Sequence, residues 1–405
     1  MKLVIVAALV TLIALLGSRL TFLRIRLPLG IQNIFLTGSE YVLVGLLLGV
    51  GVLDILDAPT LRGLEPFLGL GLSWIGMLFG IQWEFRRILR IPARVFGIAA
   101  CQSLVTAAVV GVAIYLVLSA SGYETGPLLW LTVVAVAAAA SDTGHSGLTL
   151  AARDTSPDNR PLARLLQNVS NIDGLLGLVA FGVATCFALP HPGSLGLVAY
   201  LGPMTYPGPV WVAVTVLLGG TVGLLVVALA AGRLRADQMR LVTLGAVAFS
   251  GGVALHLGLS PLLVNLVAGI VVANLARHRA LAAIRTELLR GERAIYILFL
   301  VLVGAQWQWG GAVALGLAGV YLVGRILGKA GGGLVAASFF LPASLRGLGL
   351  GLLPQGGMAV AIVVNLHLLH PSPLSQAAIS VVVVGLLVFE ILSPAVVRRL
   401  LVRLP

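Results

Sequence analysis

Charge is what this chain has least of. Only 10% of its 405 residues are Asp, Glu, Lys or Arg, against 59% hydrophobic, and lysine occurs just twice, at Lys2 and Lys329. With a mean hydropathy of +1.08, this composition excludes an ordinary soluble protein, in which about a quarter of residues are charged. Cysteine is scarce too. Cys101 and Cys186 sit in apolar runs without ligand spacing, which argues against a disulfide or a cysteine metal site. Acidic residues number 14 against 26 basic ones, a formal charge of +12. That excess is not a nucleic-acid signal, because the basic residues fall in short loops between apolar runs. The expected partner is a lipid bilayer, with no nucleic acid, no cofactor and no enzymatic chemistry.

Present instead is a long series of apolar stretches. Thirteen candidate spans read off the sequence, at roughly 2–18, 37–53, 66–83, 94–119, 127–151, 161–188, 208–231, 238–257, 260–276, 294–309, 310–340, 347–369 and 375–397. Several fall short of or exceed about 20 residues, as tilted, broken or re-entrant helices do. The first reads as a membrane helix and not a leader peptide, since it lacks a small-residue cleavage site and runs into further spans. Arginine clusters check the count. They follow the first span (Arg19, Arg24, Arg26), the third (Arg86, Arg87, Arg90, Arg94) and the fifth (Arg153, Arg160, Arg164). They recur after the seventh (Arg233, Arg235, Arg240), the ninth (Arg277 to Arg293), the eleventh (Arg346) and the last (Arg398, Arg399, Arg403). Those loops hold 22 of the 26 basic residues, whereas the opposite side holds only Lys2 and Arg62. The positive-inside rule then puts the N-terminus outside and the C-terminus in the cytoplasm. The arginine-rich, Ala-, Gly- and Leu-rich usage points to a GC-rich prokaryote, hence to its cell membrane. Trp307 and Trp309 read as interface anchors.

Two segments break their own helices at membrane depth: Ala140-Ser141-Asp142-Thr143-Gly144-His145 in the fifth span and Leu353-Pro354-Gln355-Gly356-Gly357 in the twelfth. Irregular backbone inside a membrane survives only where protein buries it or water reaches it. The two spans are seven apart, an odd number, so they cross the membrane in opposite directions. That is the geometry of an inverted repeat, with spans 1–6 matching 8–13, and paired breaks of this kind mark the midplane site of a secondary transporter.

Ionisable residues at membrane depth are few: Asp142, Asp173, Glu390, Arg325 and Lys329, with His145 and His256 as further titrators. Each charge needs a partner, water or a function. The hydroxyls of Ser141 and Thr143 and the freed carbonyls beside Asp142 can coordinate a cation; equally, Asp142 can neutralise the dipole ends of the half-helices. Asp173 lies among polar neighbours, Asn168, Ser170 and Asn171. Arg325 and Lys329, four apart, share a helical face, one free to snorkel to the surface while the other points to the core. Glu390 and His145 read as locally hydrogen-bonded groups, and His256 as water-exposed.

Taken in order, these motifs resemble the monovalent cation:proton antiporter superfamily, the bacterial sodium/proton antiporters, over nearly the whole chain. Ala140-Ser141-Asp142 is similar to the Ala-Thr-Asp of the family's first crossed helix. Gly328-Lys329-Ala330-Gly331 is similar to its Gly-Lys-x-x-Gly stretch with a core lysine, and Leu353-Pro354-Gln355-Gly356-Gly357 to its second crossed helix. Gly258-Leu259-Ser260-Pro261-Leu262-Leu263 resembles another recurrent segment. The family's span 6 usually carries Asp-Asp or Asn-Asp, the second residue carrying ion and proton. One register puts Asp173 at the first position, paired with Lys329, and Gly174 at the carrier position. A one-residue shift makes Asp173 the carrier.

The resemblance implies an all-α polytopic fold with two crossed discontinuous helices. It implies scaffold and dimerisation helices in 1–93 and 238–309, a linking helix in 208–237, and a moving core in 94–207 and 310–405. It implies a homodimer exchanging a monovalent cation, Na⁺ or K⁺, for protons by alternating access. The ion and proton site would comprise Asp142, Asp173, Thr143, Ser141 and Asn171, with Lys329 as core charge partner and Gly144, Pro354, Gln355, Gly356 and Gly357 forming the breaks. The alternative is a transporter of another solute, such as a small organic anion, that has lost the carrier acid at Gly174. A non-transporting scaffold would have little reason to hold Asp142, Asp173 and Lys329 at this depth.

Overall fold

The computed structural model describes residues 2–19, 29–122, 126–152, 160–188, 207–232, 234–307, 311–340 and 343–403. Among them every regular element is helical, apart from an isolated bridge between Gly49 and Leu56. The first half runs α1 (Lys2–Arg19), α2 (Leu29–Thr37), α3 (Glu40–Leu48), α4 (Ala58–Gln82), the short α5 (Phe85–Ile88) and α6 (Ala93–Ala120). It continues with α7 (Pro127–Ser141), α8 (His145–Ala152) and α9 (Arg160–Ala188), after which α10 (Gly208–Ala230) leads to the second half. That half comprises α11 (Ala236–His256), α12 (Pro261–Leu275), α13 (His278–Gln306), α14 (Gly311–Phe340), a 3-10 helix (Ala343–Leu352), α15 (Gly357–Leu369) and α16 (Pro373–Arg403). Nine described helical segments are long and apolar enough to cross a membrane, and α12 and α15 are shorter apolar helices. Counting α2 with α3, α7 with α8, and the 3-10 helix with α15 as single interrupted passes gives the thirteen expected.

Local chemistry sets the ends. Asp57 accepts the Thr60 N–H at 3.0 Å to cap α4, and Ser260 accepts that of Leu263 at 3.1 Å to cap α12, which then starts on Pro261. Lys2 Nζ sits 2.6 Å from Asp57 Oδ2, ties α1 to the start of α4 and holds that carboxyl down at about 2. Helices pack closely where side chains are missing. A methyl on Gly80 would lie 2.3 Å from the Leu266 carbonyl oxygen, so α4 and α12 meet backbone to backbone. Gly328 and Gly332 likewise let α14 lie against α6 at Thr106 and Gln102.

Four expectations need correction. The second span does not run as one helix from residue 37 to 53. It is α2 and α3, parted at Gly38, whose φ of +83° belongs to the left-handed region. The helix that carries the tenth span begins at His278, well ahead of residue 294. Its first turns carry Arg279 and Arg290 outward over buried Ile284 and Leu288, a pattern that hides from a hydropathy scan. Trp307 is buried in the main apolar core and is not an interface anchor. Arg325 does not snorkel: both Arg325 and Lys329 are 0% exposed. His256 is exposed as expected. Arg24, Arg26, Arg153, Arg233 and Trp309 lie outside the described residues.

Candidate functional site

The two backbone breaks meet. α7 ends at Ser141 and α8 starts at His145; the 3-10 helix ends at Leu352 and α15 starts at Gly357. Between them the Gly144 N–H donates to the Pro354 carbonyl at 2.8 Å. A methyl on Gly144 would stand 2.5 Å from the Gln355 carbonyl oxygen, so the crossing needs glycine there. Two interrupted helices leave unpaired carbonyls at one end and unpaired N–H groups at the other. Each set has its own partner.

The carbonyls are answered by α14. Arg325 donates to the carbonyls of Ala140, Asp142 (2.7 Å), Leu353 (3.3 Å) and Pro354 (3.0 Å), so one guanidinium serves both breaks. Its planar face lies 5.1 Å from the Phe389 ring centre. One turn on, Lys329 Nζ donates to the Ser141 carbonyl at 2.6 Å and to Thr143 Oγ1 at 2.8 Å, and lies 3.4 Å from Asp173 Oδ2. The four-residue spacing aims both cations at the crossing.

The N–H end is answered by acids. Asp142 Oδ2 accepts from Gly356 N at 3.2 Å, just before the first turn of α15, where a negative charge suits the helix dipole. Asp173 accepts from Thr143 N at 3.2 Å and from Thr143 Oγ1 at 2.5 Å. The cluster of Asp142, Asp173, Arg325 and Lys329 is neutral when all four are ionised, which is how four buried charges coexist.

Access distinguishes the two aspartates. A cavity of about 400 Å³ reaches Asp142, Thr143 and Gly144 from the arginine-bearing side. His145, Ser170 and Asn171 flank them, and Gln82 and Arg293 mark that side. Asp173 does not line it; it is 0% exposed behind Thr143. Asn171 is exposed on the cavity wall, and Ser170 Oγ donates to the Thr143 carbonyl at 2.8 Å. Ser141 brings its carbonyl and not its hydroxyl to the site: Oγ bonds back to Ala138 O at 2.8 Å and faces an apolar groove between α6, α7 and α9. Gln355 is buried, with Nε2 3.3 Å from the Val382 carbonyl. Gly357 leaves room for the Tyr296 hydroxyl, which a methyl there would meet at 2.1 Å. Gly174 faces Asp142: a methyl on it would lie 2.9 Å from Asp142 Oδ1. Sequence reasoning does not assign Arg325 to the freed carbonyls; its four-residue spacing from Lys329 is the available signal.

No protein-family sequence model and no curated protein sequence matches this chain. Similarity lies in the fold. The chain is similar to the structure of the sodium proton antiporter MjNhaP1 from Methanocaldococcus jannaschii at pH 8, with a TM-score of 0.67 and 17% identity over 100% of this chain and 99% of that one. It is also similar to the electron-microscopy structure of the same antiporter, with a TM-score of 0.61 and 16% identity over 100% of this chain and 98% of that one. The chain is therefore an all-helical, multi-pass membrane protein with the sodium/proton antiporter fold.

Proposed function

We propose that this protein is a secondary active transporter that exchanges a monovalent cation, Na⁺ or K⁺, for protons by alternating access. The observation that carries the reading is Asp142: a buried carboxylate at the crossing of two broken helices and at the end of a cavity open to one side. Such a group binds either a proton or a cation, and competition at it couples the two fluxes. Thr143 and Asn171 would complete the cation's shell, since the carbonyls at the break ends are already held by Arg325 and Lys329. Asp173, held by Lys329 and Thr143, acts as the lysine's partner, and Gly174 occupies the place beside Asp142 where the second acid of the family pair would stand. The moving core comprises 94–207 and 310–405, the scaffold 1–93 and 238–309, linked through 208–237, with the scaffold forming a homodimer in a prokaryotic cell membrane.

A second reading, transport of another solute on this scaffold, is favoured by one observation: no carboxylate stands at Gly174. Proton flux in proteoliposomes on adding Na⁺, K⁺ or Li⁺ separates the two. Antiport expects a cation-dependent flux that Asp142→Asn abolishes, while Asp173→Asn mainly lowers thermal stability. No cation dependence in the natural protein, together with cation binding gained in Gly174→Asp, would establish the second reading. Exchange abolished by Asp173→Asn would instead make Asp173 the carrier.

A further inference from the structure

Glu390 on α16 is buried, lines the same cavity as Asp142, and has no part in the site described above. Its Oε2 lies 3.0 Å from Thr37 Oγ1, and its backbone carbonyl accepts from Asn33 Nδ2 at 3.2 Å. Both partners belong to α2, so the contact docks α16 on the helix that ends at the Gly38 break. Thr37 Oγ1 also lies 3.0 Å from the carbonyls of Asn33 and Ile34 and 3.0 Å from Ser39 Oγ. A hydroxyl has a single proton to give. If Thr37 gives it to the α2 backbone, as helical threonines commonly do, the Ser39 hydroxyl, which also hydrogen-bonds Glu390, is the one donor left there for both carboxylate oxygens. Protonation relieves that shortage of donors. A neutral Glu390 donates its O–H to Thr37 Oγ1, and Thr37 donates onward to the helix carbonyl.

The surrounding charges agree. Among the described residues no lysine, arginine or histidine lies within ion-pair distance of Glu390. From α3 it is faced by Glu40, and from α13 by Glu292, Arg293 and Tyr296, with Arg293 acting on Glu40 and Tyr41. Along the cavity stand Asp142 and His145. On α14, Arg325 and Lys329 are bound to the helix-break carbonyls and Asp173. Acids dominate around Glu390, and an unpaired charge is costly at this depth.

We propose that Glu390 is a second proton-binding site on the cavity, holding a proton while α2 is docked on α16 and releasing it when that contact breaks. The step is reversible protonation of a carboxylate by cavity water and needs no other reactant. By linkage, whatever parts α16 from α2 favours release, and loss of the proton weakens the docking. The proton site stands on its own geometry; its consequence for transport rests on the antiport reading. Glu390→Gln keeps the shape and offers Thr37 an N–H, so the fold should survive. Infrared difference spectra of the lipid-embedded protein between alkaline and neutral buffer should show the C=O stretch of a protonated acid, lost in Glu390→Gln. Thr37→Val should shift the frequency of that stretch by removing its hydrogen-bond partner. In proteoliposomes the curve of cation-driven proton flux against pH should shift in Glu390→Gln. The same band in both proteins would overturn the proposal, and loss of the band with superimposable flux curves would overturn its coupling to transport. A band lost in Glu390→Gln from a natural protein that moves no cation would keep the site and sink the antiport reading.

Discussion

Lys329 and Asp173 make the energetics of the site concrete at the residue scale. Both are fully buried, 3.4 Å apart, and share Thr143 as a hydrogen-bond partner. Removing one member of a buried pair strands the other, which costs on the order of 3–5 kcal/mol. Lys329→Ala should therefore lower the unfolding temperature in detergent sharply. Adding Asp173→Asn should restore part of the loss, since no stranded charge remains; strictly additive effects would mean the pair contributes nothing as a pair. Arg325→Leu goes further, because it leaves carbonyls on both breaks without a donor, each at about 1–3 kcal/mol. The same thermal assay should place it among the least stable variants, below Arg164→Leu at the surface. This scale is also where the sequence is only partly legible. Asp142, Asp173 and Lys329 stand out because ionisable groups at membrane depth are rare and expensive. Arg325 is just as buried, but its purpose is set by carbonyls whose positions exist only once the helices break and cross. The hydroxyl of Ser141 departs from expectation for a related reason: residue type gives no direction, and its Oγ turns back to Ala138.

At the scale of elements, the breaks are the most readable feature, because lipid does not tolerate Gly and Pro beside polar residues inside an apolar run unless protein or water satisfies the freed backbone. The fifth and twelfth spans break at Asp142 to Gly144 and at Pro354 to Gly356, as the sequence predicts. Gly38 parts its pass through a left-handed φ, which neither membrane-depth break uses, and a glycine at the very start of the 37–53 span gives no comparable signal. The start of α13 is hidden because its charged turns are amphipathic and not uniformly apolar. The crossing itself yields a test that sequence could not suggest. Gly144→Ala would put a methyl 2.5 Å from the Gln355 carbonyl, against backbone that cannot swing aside. Forced overpacking of this kind costs about 1–3 kcal/mol. It also displaces Asp142 relative to Gly356. Gly220→Ala, with nothing within 4 Å, is the matched control. The alanine at 144 should lower both thermal stability and cation-driven flux, and the alanine at 220 neither. Equal behaviour of the two would show that the close approach of the breaks is not needed.

For the molecule as a whole, the arginine pattern and the cavity make one joint statement about sidedness. The cavity reaches Asp142 from the end of α4 that precedes Arg86 and Arg87, and Gln82 and Arg293 line it near that end. The opposite face carries the Lys2–Asp57 ion pair and Ser121, which is exposed where α6 ends. If the positive-inside rule sets the orientation, the present conformation is open to the cytoplasm, and on the antiport reading proposed above protons would leave and cations enter the site from inside. The rule is statistical, whereas the placement of the cavity relative to the arginines belongs to this molecule, so sidedness can be tested without measuring transport. In a background with Cys101 and Cys186 replaced, a membrane-impermeant thiol reagent added to intact cells should label Ser121→Cys. It should leave a cysteine introduced at Arg86 unlabelled until the membrane is permeabilised. The reverse pattern would turn the protein over, make the cavity outward-facing, and oblige Asp142 to load from outside in this conformation. Labelling of both positions in intact cells would contradict the pass count itself: α6 alone separates Arg86 from Ser121, so the two lie on opposite faces only if that helix crosses once.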